Sequence, residues 1–176
     1  QWCDEHGYLG IMAEGWEPVL GWRSPNYVYR PVGTKHIKLL LKNYKLSDDI
    51  AFRFGNRGWE SYPLSAETYA EWVHSHHGAG QTINLFMDFE TFGEHQWEDT
   101  GIFKFLEKLP EALLERGIGF STVSEAASAK SHGKISVPDI TSWADLERDI
   151  SAWRGNKMQE SALEKVYELQ TKLEKI

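Results

Sequence analysis

The stretch that most constrains this chain is TINLFMDFETFGEHQW, residues 82–97. Ile83, Leu85 and Met87 alternate with Asn84 and Phe86, a run apolar enough for a strand buried on both faces. It stops at Asp88, and Glu90, Glu94 and His95 follow, interleaved with Phe89, Phe92 and Trp97. Gly93 lets the backbone turn among them. A buried parallel strand that ends in an acid, then offers aromatics and more acids, suits a carboxylate-based site at the C-terminal edge of a barrel. Asp88 and Glu90 also fit an ordinary loop, as surface polar groups or caps, and the pattern alone leaves both readings open.

Composition narrows the partners. Hydrophobic residues make up 41% of the 176, with 8 Trp, 7 Tyr and 8 Phe, enough for a packed core and against disorder. Such rings serve as sugar platforms as well as core. A net charge of −7 without a basic block argues against nucleic acid. No apolar run reaches membrane-span length. Cys3 is the single cysteine, which excludes an internal disulfide and a Cys-rich zinc site. The opening QWCDEHGYLGIM reads as the tail of a helix, a stop at Gly7 and then a strand. The chain is therefore expected to be the C-terminal part of a larger catalytic domain. Any leader would lie upstream, and a cytoplasmic location is the expectation.

Along the chain, Tyr8–Ala13 and Ile37–Leu41 read as strands. Between them, residues 18–33 carry Trp22, Arg23, Tyr27, Tyr29 and Arg30 among three prolines, too proline-rich for a helix. That loop suits a binding surface, or an aromatic mini-core that holds itself in place. A short helix capped by Ser47 is expected next, then one from Ser65 to Ser75 with Ser65 as its cap. His74, His76 and His77 end it, off a single helical face and running into glycines, so no metal site is expected. Asp99 or Thr100 is expected to cap a helix from Gly101 to Leu109, with Pro110 opening a continuation to Arg116. Phe120–Val123 reads as a last short strand, Ser124 as the cap of a short helix, and Ser131–Asp139 as a linker-like loop. Residues 144–176 read as mainly helical. Alternation of apolar strands with helices from 8 to 116 predicts an α/β fold with a parallel sheet covered by helices.

The string MDFETFGEHQW closely resembles the fourth motif of glycoside hydrolase family 57, in particular its alpha-amylase group. Four more stretches resemble that group in the same order: LGIMAEGWEPVLGWRSPNYVYRP, IKLLLKNYKLSDDIAFRFGNRGW, TGIFKFLEKLP and SWADLERDISAWRGNKMQ. The resemblance implies part of a (β/α)7-type barrel with parallel strands, followed by a C-terminal helical region. Residues 1–130 would be the C-terminal portion of that incomplete barrel, and 131–176 a helical extension completing the cleft. The missing N-terminal half of the barrel becomes an obligate partner.

It also implies a retaining mechanism on alpha-glucans or maltooligosaccharides, with no cofactor. Retaining glycosidases use two carboxyl groups about 5 Å apart, a nucleophile and an acid/base. Asp88 stands at the acid/base position. The nucleophile, a Glu at the end of an earlier strand, is expected about a dozen residues upstream of Gln1, given ordinary helix lengths. Glu14 and Glu17 align with a different segment and are not promoted to that role. An acid/base must hold its proton near neutral pH, and Phe86 and Phe89 are candidates for the dry setting this takes. Glu90 and His95 would shape the site, Trp22 and Arg23 contact sugar, and Trp143 and Asp145 line the cleft from the helical region. The leading expectation is an alpha-amylase-like hydrolase, this portion being inert alone. The alternatives are a 4-alpha-glucanotransferase of the same family and an inert glucan-binding fragment.

Overall fold

The computed structural model describes residues 1–142 and 147–174. The expected site residues Trp143 and Asp145 lie outside the described residues. The chain divides into two compact units, Gln1–Ser136 and Val137–Ile176.

The first unit opens with a short helix α1 (Trp2–Glu5), strand β1 (Gly10–Ala13) and a single turn α2 (Glu17–Leu20). Strands β2 (Tyr29–Pro31) and β3 (Lys38–Leu41) follow. Helix α3 (Tyr44–Asp48) runs into a π-helical turn, Asp49–Arg53, and then comes α4 (Ala66–His74). Helices α5 (Ile102–Glu115) and α6 (Val123–Ser128) precede strand β4 (Gly133–Ile135). Among the described residues these strands form one sheet in the order β1-β3-β2-β4. β1 and β3 pair in parallel from Gly10↔Lys38 to Ala13↔Leu41, and β2 pairs in parallel with β4. β2 and β3 meet antiparallel at Tyr29↔Leu39, so the sheet is mixed where a parallel one is expected. The fold is thus α/β with a mostly parallel sheet. No helix among the described residues is long and apolar enough to cross a membrane.

Three buried clusters hold this unit, the smallest of them Val28, Leu40 and Ala126. Leu20, Tyr29, Leu39, Leu41 and Ile135 pack on the sheet. The largest one joins Leu46, Ile50 and Phe54 to Tyr69 and Val73 of α4 and to Ile102, Phe105, Leu109 and Leu113 of α5. Phe105 stands edge-to-face on Phe54 and Tyr69, with ring centroids 4.9 and 5.6 Å away. That apolar stripe continues across Pro110, so α5 is one helix rather than two: buried side chains on both sides of the proline outweigh its missing N–H.

Several expectations change for local reasons. Residues 83–87 are half-buried and form a single parallel bridge, Asn84 to Lys42, instead of a strand buried on both faces. Ile83, Leu85 and Met87 pack on the largest cluster from one side only. Phe120–Val123 is no strand, because Thr122 and Glu125 close a capping box that starts α6. That box makes Thr122, not Ser124, the cap. Asn43 caps α3 through Leu46 N–H (3.1 Å), where Ser47 is expected. Gly101, with φ of 84°, precedes α5 in place of Asp99 or Thr100. The expected linker at 131–139 contains β4. Ser65 caps α4 as expected.

Asp4 ties α1 to the start of β3. Its carboxylate accepts the N–H groups of Lys35 (2.7 Å), His36 (2.8 Å) and Ile37 (2.8 Å). Those backbone donors hold its pKa at about 2, from an ordinary 3.8. A depressed carboxylate stabilises the fold above its unfolded pKa and loses that contribution as pH falls through the folded one. Asp4→Asn is therefore expected to lower the melting temperature at neutral pH and to flatten its fall between pH 3.8 and about 2. A thermal melt series across that window checks it, and an unchanged slope would mean the carboxylate is not linked to folding.

The second unit holds α7 (Ser151–Arg154) and α8 (Lys157–Leu173). Asn156 caps α8 through the N–H groups of Met158 and Gln159, each at 3.0 Å, and Gln159 returns to the Asn156 N–H in a capping box.

Candidate active site

Three segments run parallel and end near one another: β1 at Ala13, β3 at Leu41 and the extended stretch around Asn84. Lys42 N–H donates to Ala13 C=O at 2.8 Å, Asn43 N–H to Asn84 C=O at 2.9 Å, and the Asn84 amide to Leu41 C=O at 2.9 Å. Just past these ends lies a buried ion cluster. Lys42 Nζ stands 3.3 Å from Asp48 Oδ1 and 3.7 Å from Glu14 Oε2. The backbones approach so closely that a Cβ on Gly15 would sit 2.1 Å from the Lys42 carbonyl oxygen. Glu14 is thereby engaged as a structural ion, and Glu17 accepts the Tyr44 hydroxyl at 2.8 Å.

Asp88 ends the extended stretch with φ −65° and ψ 143° and is exposed. Its carbonyl accepts Thr91 N–H at 3.0 Å, turning the chain into one 3₁₀ turn, Phe89–Thr91. Two buried polar residues anchor the loop beyond. Thr91 C=O accepts Gln96 N–H at 3.0 Å, and the Gln96 amide donates to Ala51 C=O at 3.0 Å. The Glu90 carbonyl accepts Glu94 N–H (3.1 Å) and His95 N–H (2.9 Å), and Glu90 and His95 are both exposed. Gly93 takes φ of 115°, a conformation costly for other residues. Phe89 is 88% exposed, so it does not dry Asp88 within this unit, contrary to the expected shielding.

Trp22 and Arg23 come together, the guanidinium 5.2 Å from the indole centroid, with Trp22 85% exposed. Among the described residues no hydrogen bond or ion pair joins either of them to Asp88. Two open grooves flank the helices, of about 680 and 790 Å³, and Asp88 lines neither. His74 and His77 stack at 5.6 Å, and no group of three His, Cys, Asp or Glu among the described residues could hold a metal. The polar residues that hold this edge together, Asn43, Ser47, Asn84 and Gln96, are absent from the expected site. Only their polarity within apolar surroundings could have drawn notice.

Residues 1–140 match the family model described as glycosyl hydrolase family 57. The chain belongs to glycosyl hydrolase family 57. The matched span contains Trp22, Arg23, Asp88, Glu90 and His95, and stops short of Trp143 and Asp145. A relative from Methanocaldococcus jannaschii, named "Putative alpha-amylase", is 49% identical over 168 residues, covering 93% of this chain. The family 57 chain spans 35% of that relative's length. No solved structure matches it.

Proposed function

We propose that the protein carrying this chain is a retaining glycosidase acting on alpha-glucans, with Asp88 as its general acid/base. The observation that carries the reading is Asp88 itself, exposed at the end of an extended segment bridged in parallel to the end of β3, inside the span that matches the family. Barrel enzymes place their chemistry at such C-terminal strand ends. Family membership and the relative's name support the substrate class. In this reading β1, β3 and the segment around Asn84 belong to an incomplete (β/α)7 barrel, and a Glu outside these 176 residues is the nucleophile.

The chemistry follows from two proton transfers at one carboxyl group, the first to the leaving oxygen and the second from water. Asp88 donates its proton to the glycosidic oxygen as the bond to C1 breaks and the partner carboxylate attacks C1 from the opposite face. The resulting carboxylate then takes a proton from water, whose oxygen displaces the enzyme from C1. Two inversions leave the alpha configuration. The exposed Trp22 offers a flat ring to a sugar, and the half-buried Arg23, whose guanidinium donates to Leu20 C=O at 3.2 Å, offers its remaining N–H groups, while Glu90 and His95 line the acid's own loop.

The test is the anomer formed first. Proton NMR during cleavage of maltoheptaose by the full-length protein is expected to show the alpha anomer before mutarotation, and initial release of the beta anomer would sink the retaining mechanism. Elongated maltooligosaccharides in the same spectra would assign the protein to glucan transfer, which shares every step except the final acceptor.

A further inference from the structure

We infer that Ser47 is a positioning residue for Asp88, its hydroxyl inserted as one rung between the end of β3 and the segment that carries the acid. The inference rests on the acid/base reading of Asp88 and adds to it the device that aims the carboxylate.

The geometry is that of an interrupted ladder. With Lys42 bridged to Asn84, and Asn43 N–H on Asn84 C=O, a continuing parallel ladder would bring Phe86 N–H to Asn43 C=O. That bond is not made. The chain leaves β3 at Asn43 and starts α3, and the Asn43 carbonyl is taken by Ser47, through its N–H at 3.0 Å and its hydroxyl at 2.7 Å. Phe86 N–H donates instead to the same Ser47 Oγ, at 3.2 Å. One hydroxyl thus donates to one side of the broken rung and accepts from the other. A serine can do both at once, which an alanine, a valine or a carboxylate cannot.

The placement is tight. Ser47 is 0% exposed, so water does not substitute for the missing rung. The same turn is fixed twice more: Asn43 Oδ1 accepts Leu46 N–H at 3.1 Å, and its amide donates to Asn26 Oδ1 at 3.0 Å. Phe86 lies two residues before Asp88, about 7 Å of extended chain. Holding its N–H fixes the direction in which the acid leaves the sheet edge. A misplacement of about 1 Å in a reacting group costs about a hundredfold in rate, so a lost rung is expected to show in turnover before it shows in binding.

The experiment uses the full-length protein and maltooligosaccharide cleavage, with four variants. Ser47→Ala is expected to lower kcat about ten- to a hundredfold with KM nearly unchanged. Ser47→Cys keeps the volume but is a poor acceptor, and it is expected to behave alike; it carries the test if the alanine variant does not fold. Ile50→Val thins the same buried stretch without touching the rung and is expected to keep wild-type kcat. Asp88→Asn reports on the underlying reading. Wild-type kcat in Ser47→Ala or Ser47→Cys, or equal losses in Ser47→Ala and Ile50→Val, overturns the positioning role while an inactive Asp88→Asn leaves the acid/base intact. An active Asp88→Asn removes both.

Discussion

Asp88→Asn in the full-length protein is expected to slow cleavage of a maltooligosaccharide by about 10²–10⁴-fold, the usual worth of one general acid/base. That is about 3–5 kcal/mol of barrier lowering from a single proton. The amide has the carboxyl group's shape but no proton to give the departing oxygen. Asp88 is exposed, and the bond that shapes its turn comes from its backbone carbonyl, so the variant is expected to melt like the parent. The choice of substrate sharpens the result. An alpha-glucosyl fluoride releases a leaving group that needs no protonation, so its first step is expected to stay near the parent rate in Asp88→Asn while the natural glycoside stalls. Equal losses on both substrates would instead mark Asp88 as a residue that holds the site's shape, and full activity on the glycoside would remove it from the chemistry.

Why Asp88 stands out in the sequence as a candidate, and Ser47 does not, is a matter of range. Asp88 terminates an apolar run and opens a cluster of acids and rings, all within one short window. The ends of β1 and β3 were legible for the same reason, as apolar runs that stop at a charge. Ser65 was legible as a cap because its partner, Thr68 N–H, is three residues away. Thr122 carried an equally local signal, threonine with glutamate three residues on, and it outweighs Ser124 once both arms of the box are counted. Ser47 also looks like a cap when read locally. Its hydroxyl answers to Phe86, 39 residues away, and no window contains that demand. Strands β2 and β4 were hidden likewise: three residues each, without alternation, and strands through distant partners, β2 pairing with β3 and β4, and β4 with β2. The single bridge made by residues 83–87 follows from the departure of β3 into α3. Nothing inside TINLFMD announces that its neighbour turns away.

Lys42→Met is expected to cost about 3–5 kcal/mol of stability, the loss typical when one partner of a buried ion pair is removed. Lys42 is 4% exposed, and its ammonium stands between two carboxylates that are themselves largely screened from water, Glu14 and Asp48. Methionine keeps most of the side-chain volume, so little of the loss would come from packing. What remains is electrostatic: two acids face one another in a poorly solvated site with the cation between them gone. Adding Glu14→Gln to Lys42→Met removes one of those charges and is expected to return part of the stability, a coupling of about 0.5–3 kcal/mol in a double-mutant cycle. Urea denaturation of the full-length protein measures both, and a loss under about 1 kcal/mol would mean that solvent already screens the cluster as it screens a surface pair. The same substitution reaches the candidate site, because the Lys42 backbone meets Ala13 on one side and bridges Asn84 on the other. A cluster that serves only as ballast would let activity survive wherever the fold does. One that holds the two strand ends in register would let activity fall at temperatures where the protein is still folded, since the segment leading to Asp88 starts from that register.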